Sequence, residues 1–198
     1  TVGIIVNGYY TRNSAEENEI VTVSKPLANF ITGGGYLVLS NSSSAGQTAG
    51  APGSKNNFGF NVKYNKNKTN LQGNINTIVR SNVPPPVSTG CPQTAGLHVY
   101  QVKGNAMTSL AVQPTVAGGA STFNGKANIQ DITNPLSVCP VDGNAALQVT
   151  TTDMGEPGKN DMIGITVWNK NGGLWFASEW NGVKTIEKLL GGGNLVVH

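Results

Sequence analysis

Charged residues are scarce in this sequence. Asp, Glu, Lys and Arg make up 12% of its 198 residues, against about 25% in typical soluble domains. This scarcity excludes a coiled coil, an ordinary helical bundle and a chain kept disordered by its own charge. No apolar run approaches the roughly 20 residues of a membrane-spanning helix. The length still suffices for one large domain or two small ones with a buried core.

Basic residues are too few and too dispersed for nucleic-acid binding. Arg12 and Arg80 are the only arginines, the formal net charge is +3, and the densest basic stretch is Lys63, Lys66 and Lys68. A nucleic-acid interface needs a dense stripe of Lys and Arg that displaces counterions from phosphates. These lysines fit the solvated end of a hairpin better, so we expect no nucleic-acid partner.

The common catalytic and phosphate-binding motifs are missing. Of two histidines, His198 is the last residue and His98 falls in an alternating strand pattern, where a half-exposed position is the simpler interpretation. The sequence has no Gly-x-Ser-x-Gly elbow, phosphate loop or dinucleotide-binding glycine pattern. We therefore expect no enzyme. A carboxylate-based hydrolase is the weakest alternative, with these candidates: Asp131, Asp142, Asp153, Glu156, Asp161 and Glu179.

Cysteine is limited to Cys91 and Cys139, each followed by proline. Neither lies in a spacing typical of zinc ligands. A disulfide between them would close a loop of about fifty residues and stabilise the fold by roughly 3–4 kcal/mol in the chain-entropy model. A buried free pair is the alternative. We favour the disulfide because the rest of the sequence has the character of a secreted protein.

Glycine is abundant, with 26 residues, and short alternating segments separated by turn formers run along the chain. In one of them, Phe58, Phe60, Val62 and Tyr64 face the same way on an extended strand. About twelve such segments predict an all-β fold, an antiparallel β-sandwich of jelly-roll or immunoglobulin-like type. Residues 183–190 could form either a short helix or a strand.

Two glycine-led segments resemble each other, Gly33–Leu39 and Gly191–Val197. The segments that accompany them occur in reversed order, so a tandem repeat is not supported. We expect two glycine-led strands, one near each end of the chain, which are neighbours in one sheet. Their glycines would permit a bulge or a close approach of two backbones.

Acidic residues cluster between Asp153 and Asp161. The carboxylates of Asp153, Glu156 and Asp161, together with carbonyls of a glycine turn, would suit calcium, which prefers oxygen ligands. The alternative is a hairpin turn in which the two aspartates cap backbone amides. Apart from this calcium candidate, we expect no cofactor.

Tryptophan is confined to the last third of the sequence, at Trp168, Trp175 and Trp180. Trp175 and Trp180 are candidate ligand-binding residues, because exposed aromatic rings serve as platforms for sugars. Core packing is the alternative function of a tryptophan. A glycan is therefore a possible partner.

Several segments together resemble a known family: Ile31–Gly35, Phe58–Lys66, Leu71–Asn74, Leu97–Lys103, Phe123–Ile129, Thr152–Gly158 with Asp161, Ile163–Lys170 and Leu190–His198. The set is similar to a domain of secreted bacterial and archaeal surface proteins, the module that follows a choice-of-anchor P region. The resemblance implies an extracellular, β-rich module of a larger surface protein, with no catalytic residue. It begins at about residue 30.

Residues 1–29 lie outside this resemblance and form an N-terminal extension to a single domain over residues 30–198. Val2, Ile4 and Val6 have the spacing of a donor strand that completes the sheet of another copy, and Tyr9 and Tyr10 could anchor its end. An ordinary edge strand of the same domain is the alternative. Head-to-tail donation does not close and makes a fibre.

The sequence thus predicts a secreted structural protein that self-associates into an extracellular filament or surface matrix by strand donation. A monomeric adhesion or carbohydrate-binding module, with calcium as a candidate ligand, is the alternative. The chain begins with Thr1 and not with Met, which is consistent with signal-peptide removal and an extracellular or cell-surface location.

Overall fold

A computed structural model of the chain describes residues 29–46 and 48–198. Within these residues the protein is all-β, and its only helical element is a 3₁₀ turn at Val87–Thr89. The strands are β1 (Ile31–Val38), β2 (Lys55–Tyr64), β3 (Leu71–Ser81), β4 (His98–Thr115), β5 (Gly118–Asp131), β6 (Cys139–Asp153), β7 (Met162–Trp168), β8 (Leu174–Ala177), β9 (Lys188–Leu189) and β10 (Gly192–Val197).

All ten strands belong to one antiparallel sheet with the order β10-β1-β2-β3-β4-β5-β6-β7-β8, and β9 pairs with β7 beside β8. The sheet curls into a half-barrel. The predicted all-β antiparallel class is confirmed, whereas a sandwich of two sheets is not. Residues 183–190, left open between helix and strand, form a loop that ends in the two-residue strand β9.

The core lies on the concave face of the curled sheet, where period-two alternation places the apolar side chains. In β2, Phe58, Phe60 and Val62 are buried while the residues between them are more exposed, as the sequence predicts. The ring of Phe60 packs at 5.1 Å from that of Phe123 on β5. Burial of this continuous apolar cluster supplies the main driving force for folding.

The two glycine-led strands, β1 and β10, are neighbours, as predicted. Gly35 pairs with Gly193, and Gly33 pairs with Leu195. A Cβ atom on Gly35 would lie 2.3 Å from the carbonyl oxygen of Gly192, so only glycine permits this approach of the two backbones. The first and last described strands are thereby joined.

The outer edge of β8 is covered by backbone from the segment that follows β1. Ser43 and Ala177 exchange two backbone hydrogen bonds, and the N–H groups of Ala45 and Thr48 donate to carbonyls of β8. This edge of the sheet is therefore already paired within the chain.

The predicted disulfide between Cys91 and Cys139 is confirmed, with the two Cα atoms 5.8 Å apart. It joins the proline-rich loop between β3 and β4 to the first residue of β6. This loop is thus covalently linked to the start of β6 at one end of the sheet.

Candidate functional sites

Asp161 lies in the turn between β6 and β7 and connects that turn to the outer edge of β10. Its side chain is completely buried. Oδ2 accepts a hydrogen bond of 2.8 Å from the backbone N–H of Leu195, and Oδ1 accepts one of 3.0 Å from Met154. The carboxylate therefore satisfies a β10 amide that faces away from β1.

Asp153, the last residue of β6, caps the next outward-facing amide of β10 in the same way. Its Oδ2 accepts from the N–H of Val197 at 2.8 Å, and its Oδ1 accepts from Gly155 at 2.7 Å. Glu156, in the same turn, accepts from the side-chain amide of Asn194. Together these three residues form what we call the edge cap: Asp153, Glu156 and Asp161.

The edge cap comprises the three residues suggested as calcium ligands. All four carboxylate oxygens of Asp153 and Asp161 accept hydrogen bonds from backbone amides. The two aspartates therefore cap amides, as in the alternative to calcium binding, but two of these amides belong to the distant strand β10. Across the described ranges, no three His, Cys, Asp or Glu side chains are grouped so that they could hold a metal ion. The observed arrangement serves to satisfy an edge strand.

Trp175 and Trp180 differ in exposure. Trp175 is only 1% exposed and packs edge-on against Tyr100 at 5.6 Å between ring centroids, so it offers no open ring face to a sugar. Its Nε1–H is buried and has no hydrogen-bond partner among the described residues. Trp180 is half-buried and forms an isolated antiparallel β-bridge with Thr185. The structure therefore leaves Trp175 a buried residue with an unused polar atom.

A buried hydrogen bond joins the first residue of β4 to the last residue of β5. His98 Nδ1 lies 2.7 Å from Asp131 Oδ2, and His98 Nε2 lies 2.9 Å from the carbonyl oxygen of Thr94. Burial alone would raise the pKa of Asp131, but hydrogen bonds from Thr133 and His98 and the charge of His98 outweigh burial and lower this pKa. The half-exposed position expected for His98 is wrong: the residue is 2% exposed.

A second partly buried carboxylate, Glu179, ties three segments together. It accepts hydrogen bonds from Ser40, Asn41 and Lys188, with the Lys188 ammonium 3.0 Å away. Burial would raise the pKa of Glu179, but these donors and the Lys188 charge lower it below the ordinary value. The sequence shows Glu179 as a candidate carboxylate but gives no sign of these distant partners.

The predicted donor residues Val2, Ile4, Val6, Tyr9 and Tyr10 lie outside the described residues. We find no helical segment in residues 29–46 and 48–198 with the length and hydropathy of a membrane span. Comparisons of the chain with protein-family models, with curated proteins and with solved structures give no match. The resemblance to a module of secreted surface proteins therefore stays a prediction.

Proposed function

We propose that the protein is a secreted structural module that assembles with copies of itself, residues 1–10 of one copy pairing with the outer edge of β10 in the next. The observation that carries this proposal is the bonding of that edge. The outward amides of Leu195 and Val197 are bound by side-chain carboxylates and not by a neighbouring strand.

An incoming strand could replace these carboxylates one for one. In an antiparallel or parallel ladder, an edge strand offers every second residue to its new neighbour, and Leu195 and Val197 have that spacing. A backbone carbonyl is an acceptor like the carboxylate oxygen it would displace, so the two amides would stay satisfied. The edge cap would then act as a removable cover that prevents uncontrolled pairing.

The opposite edge of the sheet is a poorer acceptor. Strand β8 already receives backbone hydrogen bonds from Ser43, Ala45 and Thr48, so a donor strand would have to compete with the chain's own backbone. We therefore place the junction between copies at β10.

The donor segment supplies the apolar side chains that strand addition requires. Val2, Ile4 and Val6 occupy alternate positions, so on an extended strand they would form one continuously apolar face. The disulfide supports an oxidising, extracellular setting, since cytosolic reductants keep most thiols reduced.

The test compares the full chain with a variant lacking residues 1–10, by size-exclusion chromatography and negative-stain electron microscopy. The full chain should form fibres of uniform width, and the deletion variant should remain a folded monomer. Ile4→Asp should abolish fibres, whereas the matched control Ile5→Asp, on the opposite face of the strand, should retain them.

A single peak near 20.6 kDa for the full chain would contradict assembly. If the deletion also lowered the thermal stability of that monomer, residues 1–10 would be an edge strand of their own domain. Equal loss of fibres in Ile4→Asp and Ile5→Asp would contradict alternate side-chain insertion.

A further inference from the structure

Two adjoining depressions lie at the end of the sheet that carries the disulfide. The first has a volume of about 330 Å³ and the second about 380 Å³, within the range of about 300–1,000 Å³ typical of ligand pockets. They share Val141, Asp142 and Lys170 as a common border, so we treat the two depressions as one surface site. We call it the amide groove, after its most frequent side chains: Asn128, Gln130, Asn169 and Asn171.

One of the residues that line the first depression carries an unused hydrogen-bond donor. Trp175 lines the first depression, and its buried Nε1–H lacks a partner among the described residues. A buried N–H without an acceptor is unfavourable, and a ligand oxygen that reached this nitrogen would satisfy it.

The chemistry of the lining favours a neutral, hydroxyl-rich ligand. Side-chain amides both donate and accept, as do the hydroxyls of Ser88 and Thr89, which matches the dual character of a sugar hydroxyl. Asp142 and Lys170 are the only charged residues that line either depression, and their charges offset each other. An anionic ligand such as a phosphate would meet no excess of positive charge.

The disulfide holds the two walls of the first depression in place. Ser88 and Thr89 lie just before Cys91, and Val141 and Asp142 lie just after Cys139. A covalent link this close to both walls limits their separation before any ligand arrives. Such preorganisation reduces the entropy lost on binding.

We propose that the amide groove binds a neutral oligosaccharide, with the indole Nε1–H of Trp175 donating a hydrogen bond to a sugar oxygen. This activity is independent of residues 1–10 and of strand addition. It uses the N–H of Trp175 and not its ring face.

The test is a ¹H–¹⁵N NMR titration of the full-length Ile4→Asp variant, which is expected not to assemble, with cellotriose, maltotriose, mannotriose and chitotriose as probes. The indole resonance of Trp175, assigned with Trp175→Phe, should shift saturably with at least one probe. The side-chain amide resonances of Asn169 and Asn171 should shift with the same midpoint.

Two variants and one control locate the binding. Asn171→Ala, at an exposed position, should weaken the affinity about threefold to tenfold, the effect of one lost hydrogen bond. Trp175→Phe should weaken it similarly while keeping an aromatic ring in the core. The matched control Asn67→Ala, in an exposed turn, should leave the affinity unchanged.

The proposal is overturned if none of the four probes shifts the Trp175 indole resonance, a result that would leave a bound water as the partner of this N–H. It is equally overturned if a probe binds but Asn171→Ala and Asn67→Ala behave alike. Loss of binding on reduction of the disulfide, with the fold retained, would support the preorganised groove.

Discussion

Replacing Asp161 with alanine tests the edge cap most directly. The substitution removes the acceptor of two backbone amides, those of Met154 and Leu195, at a fully buried position. A hydrogen bond to a charged group contributes about 1.5–3 kcal/mol, and two of them set an upper range of about 3–6 kcal/mol. The variant also no longer bears the desolvation cost of burying the carboxylate, which offsets part of this loss. We therefore expect the free energy of unfolding to fall by about 3 kcal/mol.

Two measurements check this expectation. Urea titration followed by tryptophan fluorescence gives the change in the free energy of unfolding. Hydrogen exchange followed by NMR reports single amides: Asp161→Ala should accelerate exchange of the Leu195 N–H, and Asp153→Ala should accelerate exchange of Val197. Glu156→Gln is the matched control, because glutamine keeps the oxygen that accepts from Asn194.

The reasoning would be refuted by an Asp161→Ala variant that loses less than about 1 kcal/mol and leaves the exchange of Leu195 unchanged. If assembly occurs at β10, the same variant should also form fibres faster, since the incoming strand no longer competes with a carboxylate. Slower assembly of a folded Asp161→Ala variant would place the junction elsewhere.

Three further predictions concern the His98–Asp131 hydrogen bond and the disulfide. His98→Ala should lower the free energy of unfolding in urea by about 3 kcal/mol, because it removes a hydrogen-bond donor from the buried carboxylate of Asp131; a loss near zero would contradict this. The lowered pKa of Asp131 stabilises the fold above the ordinary value of about 3.9, and this contribution disappears as pH falls through the lowered pKa. Asp131→Asn should therefore flatten the decline of the melting temperature in acid, and an unchanged slope would argue against it. Serine at both Cys91 and Cys139 should cost about 4 kcal/mol in urea, the value for a loop of this size, and an equally stable variant would contradict the loop-closure argument.

Local sequence patterns predict individual strands and one pair of neighbouring strands. Alternation of apolar residues identifies the buried face of β2, since successive side chains of a strand point to opposite faces. The glycines of β1 and β10 indicate their pairing, because glycine permits a close approach of two backbones, as at Gly35 and Gly193.

The edge cap shows where such patterns end. The short-range hydrogen bond, from the N–H of Gly155 to Asp153, could be predicted because aspartate side chains often cap nearby backbone amides. The long-range hydrogen bonds could not be predicted, because the partner amides of Leu195 and Val197 lie 34 and 44 residues further along the chain. Only the curl of the sheet brings them together.

His98 illustrates a different limit. Apolar neighbours on both sides indicate that the histidine faces solvent, but Leu97 is 48% exposed and His98 is the buried residue. In a strand, a shift of one residue reverses the face of every side chain. The partner that makes the buried position tolerable, Asp131, is 33 residues away and carries no local signal.

The pairing of β1 with β10 has a consequence for how the chain folds. Phe30 and His198 exchange two backbone hydrogen bonds and stack their rings 4.0 Å apart, although nearly the whole described sequence separates them. During synthesis, β1 gains its second neighbour only when β10 emerges. Sheets dominated by such distant pairings fold slowly, because the chain loses the entropy of closing a long loop before the stabilising contacts form. We therefore expect the rate-limiting step of refolding to be the docking of β10, with the meander from β2 to β7 formed before it.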